Sequence, residues 1–164
     1  MRTVLSAALV LGLGTSIVMP ALADDAVPVT ARGRACTIEG TSGDNQLNGT
    51  GGRDVICGKG GDDRIDAKAG IDIVFGGDGD DAVLGGGGKD TLKGGAGRDY
   101  LIGGPAADKL LGGAGNDECL NAAGGGADRV DGGPDRDDYQ ADGSDTVVRA
   151  EREVTLCPPF PPAV

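Results

Sequence analysis

Histidine and tryptophan are absent from this chain of 164 residues, and only four residues are aromatic. Without histidine there can be no Ser-His-Asp triad, no Cys-His pair and no H-E-x-x-H zinc site. We therefore expect no enzymatic activity. Adjacent carboxylates such as Asp62 and Asp63 are assigned to ligand or turn roles, not to acid–base catalysis.

Long apolar runs are absent except at the start of the chain. Arg2 is the only charge in residues 1–23, an apolar stretch follows it, and Ala21-Leu22-Ala23 provides an A-x-A cleavage site. We predict a signal peptide over 1–23, a secreted, extracellular mature protein that starts at Asp24, and a linker over 24–35. The alternative, a membrane anchor, is disfavoured because the run is short and small residues follow it.

Positive charge is also scarce. The 26 acidic and 15 basic residues give a net charge of −11, which becomes −12 once the predicted signal peptide with Arg2 is removed. Such a charge argues against nucleic acid or anionic lipid as a partner and favours cations. A quarter of the residues are glycine or proline, which by itself would indicate disorder.

A strict nine-residue period in the middle of the chain overrides that indication. An acidic or amide residue falls at every ninth position, an apolar residue follows two positions later, and glycines precede both, as in GGDGDDAVL (76–84). The polar residues are Asn45, Asp54, Asp63, Asp72, Asp81, Asp90, Asp99, Asp108 and Asp117. The apolar residues are Leu47, Ile56, Ile65, Val74, Val83, Leu92, Leu101, Leu110 and Cys119.

This pattern, G-G-x-G-x-D-x-U-x, resembles the calcium-binding nonapeptide of the RTX (repeats-in-toxin, hemolysin-type) family over residues 36–147. The resemblance implies an all-β fold, a right-handed parallel β-roll (a two-sided β-solenoid), with Ca²⁺ held between stacked turns. The aspartates it implies as ligands are Asp54, Asp63, Asp72, Asp81, Asp90, Asp99, Asp108 and Asp117. The turn glycines it implies are Gly76, Gly77, Gly79, Gly85, Gly86, Gly88, Gly94, Gly95, Gly97, Gly112, Gly113 and Gly115.

Two stacks of turns are expected, because each coil of such a roll uses two nonapeptides. The first column contains Asp54, Asp72, Asp90 and Asp108, and the second contains Asn45, Asp63, Asp81, Asp99 and Asp117. In the first column the turn AKAGI (67–71) lacks the glycine pair and Ala106 replaces a glycine. In the second column only Asn45 is weak, so we expect this column to bind calcium more tightly.

The register slips after Asp117. Asp128 comes eleven residues later, Asp137 recovers the spacing of nine, and Asp145 follows after eight. Pro134 and Asp135 stand where the turn calls for a free position and a glycine. We predict a frayed or capping end with weak calcium binding, if any, and a capping tail over 148–164.

Four cysteines in a chain predicted to be exported indicate disulfides. Proximity favours Cys36 with Cys57 and Cys119 with Cys157 among the three possible pairings, one bridge at each end of the roll. The first bridge requires the chain to bend at Cys36, because the two positions are three residues out of alignment. Cys119, at a core position, could instead be a small buried hydrophobe.

Two functions remain open at this stage. One is a secreted, non-enzymatic calcium-binding protein that folds around its ions, and the other is a calcium-dependent adhesion or cell-surface matrix module. Seventh-position side chains should point outward, and they show no repeated residue type that would form a regular ligand-binding array. They are Val55, Arg64, Ile73, Ala82, Thr91, Tyr100, Lys109 and Glu118. The sequence identifies no protein or surface partner.

Overall fold

A computed structural model describes residues 35–154 and 156–157. The predicted signal peptide and nearly all of the predicted linker lie outside these residues. The chain divides into two units, Met1–Ala35 and Cys36–Val164, and every strand described below belongs to the second. Within the described ranges no helix is long and apolar enough to cross a membrane.

The described residues form two parallel sheets of seven strands each, between which the chain alternates. One sheet contains β1 (Ile38–Glu39), β3 (Val55–Gly60), β5 (Ile73–Asp78), β7 (Thr91–Ala96), β9 (Lys109–Ala114), β11 (Arg129–Asp131) and β13 (Thr146–Val148). The other contains β2 (Gln46–Asn48), β4 (Arg64–Asp66), β6 (Ala82–Leu84), β8 (Tyr100–Ile102), β10 (Cys119–Asn121), β12 (Asp138–Gln140) and β14 (Arg152–Glu153). The predicted all-β parallel roll is confirmed.

The core is a single stripe of aliphatic side chains between the two sheets. Strands pair 18 residues apart, as in Val74 with Leu92 and Leu92 with Leu110, so like positions stack from coil to coil. The fully buried members are Ile56, Ile65, Ala67, Val74, Val83, Leu92, Leu101, Leu110, Leu120, Ala122 and Val130. Each burial of a Val, Leu or Ile side chain contributes about 1.5–3 kcal/mol, and only stacked coils can achieve it.

One predicted core position is wrong. Leu101 pairs with Leu120, not with Cys119, because Glu118 is an extra residue between the turn and β10. The insertion moves the side chains of β10 to the opposite face of the sheet, and Val130 in β11 again lies in the core. Leu120 therefore enters the stripe, whereas Cys119 lies on the outer face beside Tyr100.

The outer face is not uniformly exposed, contrary to the expectation for seventh positions. Tyr100 is only 4% exposed, since it packs with Cys119 and Cys157 while Val154 and Ile102 lie against them. Val55 and Ala82 are buried as well. The segment after β14 thus covers part of this face.

Both predicted disulfides are present. Cys36 bonds to Cys57 with their Cα atoms 6.0 Å apart, and Cys119 bonds to Cys157 with their Cα atoms 5.8 Å apart. In the strand ladder Glu39 lies opposite Cys57, so Cys36 is three residues out of alignment, as predicted, and the chain bends at Thr37, next to it. Cys119 is fully buried, but as a bridged residue outside the main stripe.

The slipped repeats at the C-terminal end are paired and not frayed. β11 pairs with β9 and β13, and β12 pairs with β10 and β14. Regular pairing therefore continues to Glu153, beyond the predicted end of the roll at residue 147. The changed spacings are absorbed in the turns, where an inserted or deleted residue leaves the strand ladder intact.

Candidate metal centre

The turns between strands keep one backbone shape even where glycine is missing. Gly77 and Gly79, the second and fourth residues of their turn, have φ of +131° and +127°. Non-glycine residues adopt positive φ at the same two positions of other turns: Lys59 (+87°), Lys68 (+74°), Ala106 (+97°) and Asp135 (+84°). Each of these costs about 1–2 kcal/mol, so the repeat imposes its turn at some strain.

The sixth-position carboxylates link successive coils. Asp99 Oδ1 accepts a hydrogen bond from the backbone N–H of Asp81 at 3.0 Å, and Asp90 Oδ1 accepts one from Asp72 at 2.8 Å. The two predicted columns are present and extend further than the sequence indicated. The first continues through Asp128 to Asp145, and the second continues through Asp137 to Glu151.

The second oxygen of most of these carboxylates has no partner. In the described residues, nine Oδ2 atoms are buried without a hydrogen bond: those of Asp63, Asp72, Asp81, Asp90, Asp99, Asp108, Asp117, Asp128 and Asp137. A buried, unpaired carboxylate oxygen costs several kcal/mol unless a cation or a donor compensates it. Their regular repetition indicates that cations bind along the two columns.

The first glycine of the turn lets a carboxylate oxygen and a carbonyl oxygen approach where any side chain would collide with them. A Cβ built on Gly58 would lie 2.1 Å from Asp63 Oδ2 and 2.4 Å from the carbonyl oxygen of Gly76 in the next coil. On Gly112 it would lie 1.9 Å from Asp117 Oδ2 and 2.5 Å from the Gly132 carbonyl. Calcium binds oxygen at about 2.3–2.6 Å and accepts carboxylate and carbonyl oxygens together. The two kinds of oxygen that converge at this glycine are therefore the kinds that Ca²⁺ binds.

Backbone carbonyls must supply much of each coordination shell. No three Asp, Glu or Cys side chains converge on one metal position in the part of the chain that the structure describes. A calcium site needs six to eight oxygens. Each turn supplies one carboxylate, so the other protein ligands must be backbone carbonyl oxygens, which residues with positive φ direct toward the carboxylate.

Comparison with known families decides what these turns are. The family model described as RTX calcium-binding nonapeptide repeat (4 copies) matches residues 37–65, 58–92 and 84–119, just over half of the chain. The chain belongs to this family. It is a calcium-binding repeat protein with a parallel β-roll. No curated protein matches the sequence.

Not every RTX turn of this chain offers the same site. Asp54 Oδ2 already accepts hydrogen bonds from the Thr50 N–H at 2.7 Å and from Thr50 Oγ1 at 2.9 Å. In the opposite turn of this coil, the Thr41 N–H donates to Asn45 Oδ1 at 2.6 Å. Threonine at the second glycine position thus satisfies the sixth-position side chain without an ion, so Asp54 differs from the other predicted ligands.

Two further turns have alanine where the first glycine would stand. Ala67 precedes Asp72 and Ala122 precedes Asp128, and both alanine side chains belong to the buried core. These two turns therefore carry a methyl group at the position where, in the glycine turns, a Cβ would collide with the aspartate Oδ2. Seven turns combine a first glycine with an unpaired carboxylate oxygen; their aspartates are Asp63, Asp81, Asp90, Asp99, Asp108, Asp117 and Asp137.

Burial makes these carboxylates hard to ionise. It raises the pKa of Asp90 to about 6 and the pKa values of Asp81, Asp99, Asp108 and Asp117 to about 7. Burial also raises the pKa values of Asp63, Asp72, Asp128 and Asp137. A bound divalent cation favours the ionised form and opposes this effect.

The fifth position of the turn distinguishes the two columns electrostatically. In the second column Asp62 Oδ1 accepts the N–H of Asp80 at 2.9 Å, and Asp44 Oδ1 accepts the N–H of Asp62 at 2.8 Å. In the first column the same positions hold Arg53, Ile71, Lys89 and Ala107. The exposed carboxylates Asp44, Asp62 and Asp80 add negative charge beside the first three turns of the second column, which favours cation binding there. The later turns of this column hold Arg98, Asn116 and Arg136 at the fifth position, and Arg98 pairs with Asp80 at 3.1 Å.

Proposed function

We propose that the chain is a secreted, non-enzymatic protein whose β-roll becomes ordered when calcium binds. The observation that carries this proposal is the set of nine buried Asp Oδ2 atoms without a partner. Without the ion, each column holds carboxylates stacked one above another around a thin core. Calcium binding is then coupled to folding, because the site exists only in the folded chain.

Export is supported by the sequence of residues 1–23 and by the two disulfides, which persist in oxidising compartments. The absence of histidine and the use of the periodic carboxylates in turn contacts support a non-enzymatic role. N-terminal sequencing of the protein recovered outside the cell tests export. A start at Asp24 is expected, and a retained leader in a cell-associated protein would contradict it.

Far-UV circular dichroism during a calcium titration tests the coupling of ion and fold. The spectrum of the ion-free mature chain at neutral pH should be coil-like and should become β-rich as calcium is added. Magnesium at equal concentration is the control and should be less effective, because it demands near-octahedral geometry and loses water reluctantly. A fully β-rich spectrum before any calcium is added would contradict the proposal.

A further inference from the structure

The last turn of the second column departs from the repeat and lies beyond residues 37–119, which match the family model. Only 14 residues separate Asp137 from Glu151, where the regular columns advance by 18. The segment 148–151 (VRAE) contains no glycine. This turn nevertheless presents the same pair of oxygens as the regular turns.

Glu151 takes the place of the sixth-position aspartate. Its Oε2 accepts a hydrogen bond from the backbone N–H of Asp137 at 2.8 Å, the bond that an aspartate Oδ1 accepts in the regular coils. The longer glutamate side chain reaches across the distance that the shortened turn leaves open.

Arg149 takes the place of the glycine that supplies the facing carbonyl. A Cβ built on Gly132 would lie 2.3 Å from the Arg149 carbonyl oxygen and 2.3 Å from Asp137 Oδ2. The corresponding distances at Gly58 are 2.4 Å to the Gly76 carbonyl and 2.1 Å to Asp63 Oδ2. The space beside Gly132 is therefore lined like a site in the matched part of the roll.

The side chain of Arg149 fixes this carbonyl. Its Nε donates to Asp131 Oδ1 and its Nη2 donates to Asp131 Oδ2, both at 2.8 Å, which is a bidentate ion pair. The Arg149 backbone has a φ of +51°, in the left-handed region. In the regular turns, glycine adopts the positive φ that orients the carbonyl. Here the Asp131–Arg149 ion pair holds Arg149 in that conformation and so orients its carbonyl.

Asp137 supplies the carboxylate oxygen. The residue is fully buried, and its Oδ1 accepts the N–H of Asp117 at 3.0 Å while its Oδ2 has no hydrogen-bond partner. Asp128, in the other column, also has an unpaired oxygen, but its turn begins with Ala122, whereas the turn of Asp137 begins with Gly132. The convergence of a carboxylate and a carbonyl oxygen at a first glycine therefore belongs to Asp137.

We propose that Asp137 Oδ2 and the Arg149 carbonyl bind an additional calcium ion, outside the matched repeats, and that the Asp131–Arg149 ion pair positions this site. The proposal rests on calcium binding by the regular turns. The ion would close the C-terminal end of the roll next to the coil that the Cys119–Cys157 disulfide secures.

Native mass spectrometry of the disulfide-intact mature chain at saturating calcium tests the site through the number of bound ions. In Asp137→Asn the amide keeps an oxygen for the Asp117 N–H and places an NH₂ group where it can donate to the Arg149 carbonyl, so the coil should persist. We expect one ion fewer than in the wild type. Asp78→Asn, which removes an exposed carboxylate, is the matched control and should bind the wild-type number.

Asp99→Asn separates this proposal from the one on which it rests. A wild type without calcium would overturn calcium binding by the roll itself. An Asp99→Asn variant with the full number of ions would overturn ligation by the sixth-position carboxylate, on which the additional site also rests. A loss in Asp99→Asn together with the full number in Asp137→Asn would overturn only the additional site.

Asp131→Asn provides a second variant that leaves both proposed ligands in place. Removing a group that orients a ligand weakens metal binding by roughly 10- to 100-fold, so the additional ion should bind at least about tenfold more weakly by calcium titration. An unchanged affinity for every ion in Asp131→Asn would overturn the role of the Asp131–Arg149 pair.

Discussion

Asp99 is bound to the coil before it through one oxygen of its carboxylate, because its Oδ1 accepts the backbone N–H of Asp81 at 3.0 Å. Its Oδ2 is buried and faces the space beside Gly94, where a Cβ would lie 2.1 Å away. One side chain thus joins two coils and offers a ligand to an ion. Removing it should weaken calcium binding and coil stacking together.

The two columns should differ in affinity for calcium. We expect Asp99→Ala to lower the affinity, and with it the cooperativity of folding, more than Asp72→Ala does. Gly94 lets Asp99 Oδ2 approach where a Cβ would collide with it, whereas Ala67 carries a methyl group at the same position before Asp72, and Lys68 in that turn adopts a φ of +74°. Calorimetric titration of the two variants measures the difference. Equal effects, or the reverse order, would contradict it.

The stability of the ion-free fold should fall as the pH rises. Burial raises the pKa values of Asp81, Asp99 and Asp117 from 3.8 to about 7, so the folded chain binds more protons than the unfolded chain between these values. Stability is then greatest below pH ~4 and is lost as the pH rises to ~7.

In calcium-free buffer the far-UV circular dichroism spectrum should therefore be more β-rich at pH 5.5 than at pH 7.5, where the ion-free chain is expected to be coil-like. With saturating calcium the order should reverse, because protons compete with the ion for the carboxylates. An ion-free fold that gains stability between these two pH values would show that the buried carboxylates do not control it.

The first coil should depend less on calcium than the rest of the roll. Thr50 satisfies Asp54 Oδ2 with two hydrogen bonds, and the Cys36–Cys57 bridge closes the same coil. In calcium-free buffer the amides of residues 38–57 should exchange hydrogen more slowly than those of residues 91–114. Thr50→Gly loses the hydroxyl bond, worth about 1 kcal/mol, and should speed exchange in the first coil roughly fivefold.

Thr50→Ser is the control, since it keeps a hydroxyl at the same position. Exchange in this variant should stay close to that of the wild type. If Thr50→Gly exchanges no faster than Thr50→Ser, the hydroxyl of Thr50 does not support the first coil.

The two disulfides should hold the ends of the roll, where one face of the coil has no neighbour. The Cys36–Cys57 bridge spans 21 residues, and its removal in a Cys36→Ser/Cys57→Ser double variant should lower the free energy of unfolding in calcium by about 3 kcal/mol. Chemical denaturation measures this loss. Non-reducing peptide mapping checks the pairing itself, and free thiols or a Cys57–Cys119 bridge in the exported protein would refute it.

The sequence predicted the parallel roll, its two columns and its disulfides because one period governs turn, carboxylate and core at once. It misplaced Cys119 because this residue is itself apolar, so the extra residue Glu118 leaves no visible break in the pattern. Tyr100 is buried by Val154 and Cys157, which lie more than 50 residues later in the chain, and a local sequence pattern cannot predict such a contact.

The sequence also underrated the C-terminal turns. Asp135 adopts a φ of +84° where glycine was expected, and Glu151 reaches Asp137 from a turn with too few residues. Asp128 and Asp137 are each followed two residues later by a hydrophobic residue, as in the regular repeats. The irregular spacing nevertheless led to the prediction of a frayed end. At Asp54 the sequence overestimated the calcium site. This residue fits the repeat pattern, yet its carboxylate already accepts a hydrogen bond from Thr50.

Ion-coupled ordering of the roll is tested most directly by hydrogen exchange on the disulfide-intact mature chain at pH 7.5, with calcium and in calcium-free buffer. Backbone amides of the stacked strands between Asp63 and Asp137 should be protected with calcium and should exchange at rates near those of an unfolded chain without it. Equal protection in the two buffers would show that the nine unpaired aspartate oxygens need no cation for the roll to form, and would contradict calcium-dependent folding.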